Sequence, residues 1–208
     1  MFHSILRKWL GYITQPVAKV IAALGITANM LTITGLLVAI GAGVCIALGR
    51  LKLAGALILI GGSFDLMDGA VARVSKITNP FGALLDSVVD RYSEGAIFLG
   101  LAIYFSIGRG PKWITGLSLT CLGLISAFLV SYVRARAEGL RVECKVGLMQ
   151  RPERIILLSL GVIFGDLYLK SVNSSFLIVV LWVIVILSHV TVLQRVLFAS
   201  KEFHGIRA

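Results

Sequence analysis

The sequence predicts an all-α integral membrane protein, with six transmembrane helices behind an N-terminal amphipathic helix that lies at the membrane surface. Three observations predict it. The 208-residue chain is 58% hydrophobic and only 14% charged, too little charge to cover a soluble domain of this length. Its apolar residues fall into stretches near the ~20 residues that cross ~30 Å of hydrocarbon. The Lys and Arg residues gather on alternate connections between those stretches, as in multi-pass proteins.

Residues 1–25, "MFHSILRKWLGYITQPVAKVIAALG", lack the clean apolar run and small-residue cleavage site of a secretory signal. Phe2, Ile5, Leu6, Trp9 and Leu10 can face lipid while Arg7 and Lys8 stay at headgroup level, the pattern of an interfacial helix. Six spans are expected at 31–49, 52–71, 82–106, 113–133, 154–171 and 175–194. They form a single membrane domain, 1–208, with the bundle over 26–196 and a cytoplasmic tail over 197–208. "GLLVAIGAG", "GALILIGG" and "GAIFLG" supply small residues that let helix backbones approach in lipid.

With six spans, one side of the membrane receives fourteen Lys and Arg, including Arg73, Lys76 and the six cations of 134–154, and the other side receives five. The positive-inside rule then places both termini and the 65–90 region at the cytoplasmic face of the cell membrane. The net charge of +10 suits an anionic bilayer or an anionic substrate, and no nucleic-acid partner is expected for a chain dominated by spans. Cys45 and Cys121 fall in apolar stretches and Cys144 in a polar one. With no CxxC and only scattered His3, His189 and His204, neither a disulfide nor a zinc site is expected.

The chemistry concentrates in "DLMDGAVARVSKITNPFGALLDSVVD", residues 65–90, which holds four of the ten acidic residues. Asp65 and Asp68 are three apart near the cytoplasmic end of the second span; Asp86 and Asp90 are four apart near the start of the third. Each pair therefore lies on one helix face. The short turn at Asn79-Pro80 predicts antiparallel neighbouring helices whose pairs face each other. Four carboxylates that close repel unless a divalent cation compensates. All-oxygen ligands favour Mg²⁺ or Mn²⁺ over zinc, and four carboxylates suffice for two ions acting on a transferring phosphoryl group. Helix caps or ion pairs with Arg73 and Arg91 would account for one such acid, not for four. A divalent-cation transporter also gathers intramembrane acids, but near mid-bilayer and with broken spans or repeats.

The pattern Asp65-x2-Asp68-Gly69-x2-Ala72-Arg73-x8-Gly82-x3-Asp86-x3-Asp90 resembles the signature of the CDP-alcohol phosphotransferase family at every defined position. The resemblance implies six spans and a homodimer. It implies that Asp65, Asp68 and Asp86 ligate two metal ions, and that Asp90 completes the metal site and serves as the base. It also implies that Gly69, Ala72, Arg73 and Gly82 line the CDP pocket beside Asp65 and Asp68. "TANMLT" at 27–32 resembles a Thr-Pro-Asn-x-x-Thr stretch of the family, with Ala28 where the proline stands. Asn29 and Thr32 are thus candidates either for nucleotide contact or for capping the first span. The implied reaction is attack by an alcohol hydroxyl on the lipid-side phosphorus of CDP-diacylglycerol or a CDP-linked ether lipid, with CMP leaving.

The segment "SYVRARAEGLRVECKVGLMQRPER" carries six cations against three acids on the face of the aspartates, a density that suits a phosphorylated acceptor. Together with "LLDSVVDRYSEGAIFLGL" it resembles the branch of the family that uses inositol 1-phosphate. By that resemblance Arg134, Lys145, Arg154 and Arg195 hold the acceptor phosphate, with Arg136 and Arg151 as further candidates. The alternative acceptor is glycerol 3-phosphate; against it, Ser87-Val88-Val89-Asp90-Arg91 follows Asp86 where that branch usually carries Pro-x-x-Asp-Lys.

Overall fold

The computed structural model describes residues 14–75, 80–109, 112–169 and 174–205. A helical stretch over residues 14–23 (α1) leads into α2 (Ala28–Ala47), α3 (Leu51–Ser75), α4 (Pro80–Ser106), α5 (Trp113–Gly139), α6 (Arg151–Ile163) and α7 (Phe176–Gly205). The starts follow from local chemistry. Thr27 caps α2 by accepting a bond from the Met30 N–H at 3.3 Å. Pro80 opens α4 and Pro152 lies in the first turn of α6, where a missing N–H costs nothing. Between α6 and α7, β1 (Tyr168–Leu169) pairs antiparallel with β2 (Ser174–Ser175), a small departure from the all-α expectation.

The protein is a multi-pass membrane protein: α2, α3, α5 and α7 are each long and apolar enough to cross a bilayer. Large side chains such as Leu37, Val44, Ile114 and Leu193 are exposed on their outer faces. Inside, Ile46, Ile58, Phe98, Leu101, Phe105, Leu119 and Leu181 form one continuous core. The fifth expected span, 154–171, is corrected to the 13 residues of α6, ~20 Å long at 1.5 Å per residue. Its apolar run is broken by Gly165-Asp166, and the chain turns there into β1. In the stretch expected as the cytoplasmic tail, 197–208, the described residues up to 205 are helical. α7 runs on to Gly205, with Ala199 buried against Val142 and Cys144. The residues assigned to the interfacial face, Phe2 to Leu10, lie outside the described residues.

Packing departs from the sequence reading at one point that matters for the site. α2 packs along both α3 and α4, whereas α3 and α4 barely touch each other. Small residues explain this. Gly43 of α2 meets Gly100 and Ala96 of α4 so closely that a Cβ on Gly100 would collide with the Gly43 carbonyl oxygen. On α2's other side, a Cβ on Gly35 would sit 3.4 Å from Phe64 Cβ and 3.5 Å from Asp65 Oδ1. α2 is thus wedged in, and the acids of α3 and α4 line a gap instead of a helix contact. α6 packs on α3, α5 on α4, and α7 on both α5 and α6.

Candidate active site

The gap is bridged from α6. Arg151, in its first turn, places Nη1 2.7 Å from Asp65 Oδ2 on α3 and 2.9 Å from Asp90 Oδ1 on α4. One helical turn along, Arg154 is 1% exposed, and its Nε and Nη2 donate to Glu94 Oε1 at 2.9 and 2.5 Å. Asp90 and Glu94 are four apart on α4, and Arg151 and Arg154 three apart on α6. Each set therefore shares a face, and two acids of α4 meet two arginines of α6. The sequence reading passed over Glu94. Its signal was available: a carboxylate one turn beyond Asp90, inside an apolar run.

Two cavities share a wall at Asp86, and the second of them reaches Asp90, Arg151 and Arg154. The first, about 530 Å³, lies between α2, α3 and α4 and is lined by Asn29, Thr32, Asp68, Gly69, Ala72, Gly82 and Asp86. All seven were singled out from the sequence, and the fold brings them together. Thr27, Ala28, Ser75 and Ala83 also line it and were not anticipated as contacts. Asp68 is buried and accepts a hydrogen bond from Thr32 Oγ1 at 2.8 Å. Arg73 is exposed one turn from Gly69 and does not line this cavity; neither does Asp65, which faces Arg151.

The second cavity, about 580 Å³, is lined by Asp86, Asp90, Arg91, Ser131, Arg134, Gln150, Arg151, Arg154 and Arg195. Asp86 is the wall common to both. Arg195, 2% exposed on α7, donates through Nε to the Val146 carbonyl at 2.8 Å and through Nη1 to the Val130 carbonyl at 2.5 Å. The Met149 N–H donates to Thr191 Oγ1 at 2.9 Å. The 140–150 segment is therefore pinned on α7 with Val142 and Cys144 buried, although its sequence reads as polar. Arg91 donates to Ser131 Oγ at 2.6 Å, and Arg134 pairs with Glu138 at 2.8 Å.

Two predicted phosphate ligands stand outside this cavity. Arg136 is exposed on α5, and Lys145 is exposed and paired with Glu143. The hydrogen bond from Lys145 holds the Glu143 carboxyl below its ordinary range. Among the described residues no three carboxylates converge as a ready-made metal shell. Asp65 and Asp90 lean on Arg151, and Asp68 on Thr32.

Comparison with known proteins decides the family. The sequence model of CDP-alcohol phosphatidyltransferases matches residues 25–193. The chain belongs to this family. A CDP-alcohol phosphatidyltransferase is an enzyme, and the matched range takes in every residue lining the second cavity except Arg195. The chain is 36% identical over 201 residues to the archaetidylinositol phosphate synthase of Methanothermobacter thermautotrophicus, covering 97% of this chain and 93% of that one. It is 34% identical over 190 residues to the phosphatidylinositol phosphate synthase of Mycobacteroides abscessus, covering 91% and 84%. Among solved structures it resembles Mycobacterium tuberculosis phosphatidylinositol phosphate synthase with CDP-DAG bound. There the TM-score is 0.78 and the identity 28%, over 90% of this chain and 94% of that one. The same enzyme in complex with manganese and citrate matches with TM-score 0.78 and 28% identity, over 89% and 88%.

Proposed function

We propose that this phosphatidyltransferase moves the phosphatidyl-type group of CDP-diacylglycerol, or of its ether analogue, onto a hydroxyl of inositol 1-phosphate and releases CMP. One observation carries the reading: two cavities meet at Asp86, one edged by glycines and alanines, the other walled by Arg91, Arg134, Arg151, Arg154 and Arg195. A donor and an anionic acceptor can approach one carboxylate centre from opposite sides. The relatives named for inositol phosphate products support the acceptor, and the neighbour solved with CDP-DAG supports the donor.

In the first cavity Gly69, Ala72 and Gly82 let a nucleotide approach helix backbone. Asn29 and Thr32 offer polar contacts from α2, and Thr32 also fixes the Asp68 carboxylate. Arg73, exposed beside Gly69, is free to turn its guanidinium toward a diphosphate oxygen. In the second cavity Arg134, Arg151, Arg154 and Arg195 face the acceptor phosphate, and Asp90 takes the proton of the attacking hydroxyl on its carboxylate. Lys145 and Arg136, outside the cavity, add to the positive field that draws a dianion in.

The donor set fits Mg²⁺ or Mn²⁺. Asp65, Asp68, Asp86 and Asp90 offer only oxygen, a guanidinium already lies within ion-pair distance of two of them, and the buried Asp90 Oδ1 is without a hydrogen-bond partner among the described residues. The neighbour in complex with manganese supports the same assignment. Two ions held by these four residues would offset the negative charge that develops on the transferring phosphoryl group.

In the membrane, α2 to α7 form the six-helix bundle, with α1 lying at the surface. Both termini and the cavities face the cytoplasm by the positive-inside rule, in a homodimer. The test is CMP release from CDP-diacylglycerol and Mg²⁺ with inositol 1-phosphate, glycerol 3-phosphate, free inositol or serine in turn. Strong release with inositol 1-phosphate alone is expected; equal or greater release with glycerol 3-phosphate contradicts the acceptor.

A further inference from the structure

We propose that Glu94 is a positioning residue for the acceptor phosphate, holding the buried Arg154 guanidinium so that its unshared edge serves the arginine-walled cavity. The inference rests on the acceptor-phosphate reading above and adds to it a residue outside the family signature. Glu94 is 4% exposed and Arg154 1%, so neither side chain is oriented by water. Both Arg154 donors on the Nε–Nη2 edge go to one Glu94 oxygen, at 2.9 and 2.5 Å. A planar guanidinium gripped along that edge can neither rotate nor withdraw. Its Nη1 is left buried without a hydrogen-bond partner among the described residues, while Arg154 lines the second cavity.

A buried donor left unpaired is rare and costly, and a phosphate oxygen in that cavity would satisfy it. Glu94 also faces Arg91, whose Nη1 lies 3.9 Å from Glu94 Oε2 and donates to Ser131 Oγ at 2.6 Å. Arg91 and Ser131 line the same cavity. One carboxylate thus stands behind two of its arginines. Removing that carboxylate leaves a buried, unopposed guanidinium free to reorient.

The test varies acceptor and donor separately in steady-state CMP release by the purified protein in lipid nanodiscs. Glu94→Gln is expected to raise the acceptor KM about tenfold, while kcat and the CDP-lipid KM stay within about twofold, the split that marks lost acceptor binding. Glu94→Asp, which keeps the charge but shortens the reach, is expected to recover part of that loss. An unchanged acceptor KM, or a parallel loss in kcat and both KM values, overturns the proposal. If Glu94→Gln does not fold, Glu94→Asp is read by the same criterion; failure of both to fold makes Glu94 a tie between α4 and α6 and overturns it too. Wild-type protein separates this inference from the acceptor assignment. Should it use glycerol 3-phosphate but not inositol 1-phosphate, the acceptor identity falls and the Glu94 effect is read on the glycerol 3-phosphate KM. Should it use neither, both fall.

Discussion

Arg151 Nη1 lies 2.7 Å from Asp65 Oδ2, joining the first turn of α6 to an acid midway along α3, and the same nitrogen reaches Asp90 of α4 at 2.9 Å. This guanidinium ties together three helices that converge on the junction of the two cavities.

Arg151→Ala leaves Asp65 and Asp90 facing each other without their shared cation, and like charges in a poorly hydrated gap repel. The variant is expected to melt at lower temperature than wild type in chelator-containing buffer. Added Mg²⁺ should raise its Tm by more than it raises that of wild type. A thermal melt with and without Mg²⁺ reads both effects; an equal Mg²⁺ response would contradict the shared position.

Asp90→Asn removes the proposed base while keeping the side chain's shape. A loss of about 10²–10⁴-fold in kcat is expected, the usual contribution of a positioned general base. Donor KM should change little. Single-turnover CMP release checks this, and an activity within a few-fold of wild type would move the base elsewhere.

Thr32→Val deletes the hydroxyl that donates to Asp68 at 2.8 Å. A buried carboxylate that loses a hydrogen bond costs about 1–3 kcal/mol, so a lower Tm and weaker donor binding are expected together. Thr32→Ser, which restores the donor, is expected to recover both.

Gly69→Val separates folding from binding. A Cβ at Gly69 would meet nothing nearer than Arg73 Nη1 at 3.5 Å, so the fold has room for it. The side chain would project into the first cavity, however, and the CDP-lipid KM should rise at least about tenfold with Tm nearly unchanged. Gly100→Ala makes the contrast: its methyl strikes the Gly43 carbonyl, and overpacking of this kind costs about 1–3 kcal/mol of stability.

Much of the site was legible because helical periodicity assigns residues to faces. The spacing of Asp65, Asp68, Asp86 and Asp90 put each pair on one side of its helix, whereas Gly69, Ala72 and Gly82 were expected at a pocket only through the family resemblance. Periodicity does not say which face meets which helix. The wedge of α2 between α3 and α4 depends on the Gly43–Gly100 contact, and the sequence shows those glycines only as generic packing residues. The Arg151 bridge and the Arg154–Glu94 pair join residues some sixty positions or more apart in the chain, where no local pattern reaches. Composition also misled over 140–150. Its cations read as ligands for an acceptor phosphate in a polar segment, yet Cys144 and Val142 are buried and Arg195 pins the backbone, while Lys145 stands exposed and paired with Glu143.

The central claim, that the arginine-walled cavity delivers a phosphorylated alcohol to a CDP-linked lipid, is tested most directly by the mass of the lipid product formed from CDP-diacylglycerol and inositol 1-phosphate. A lipid that keeps the acceptor's phosphomonoester, formed in step with CMP, is the predicted result. A product lacking that phosphate, or equal yield when free inositol is supplied, would contradict it.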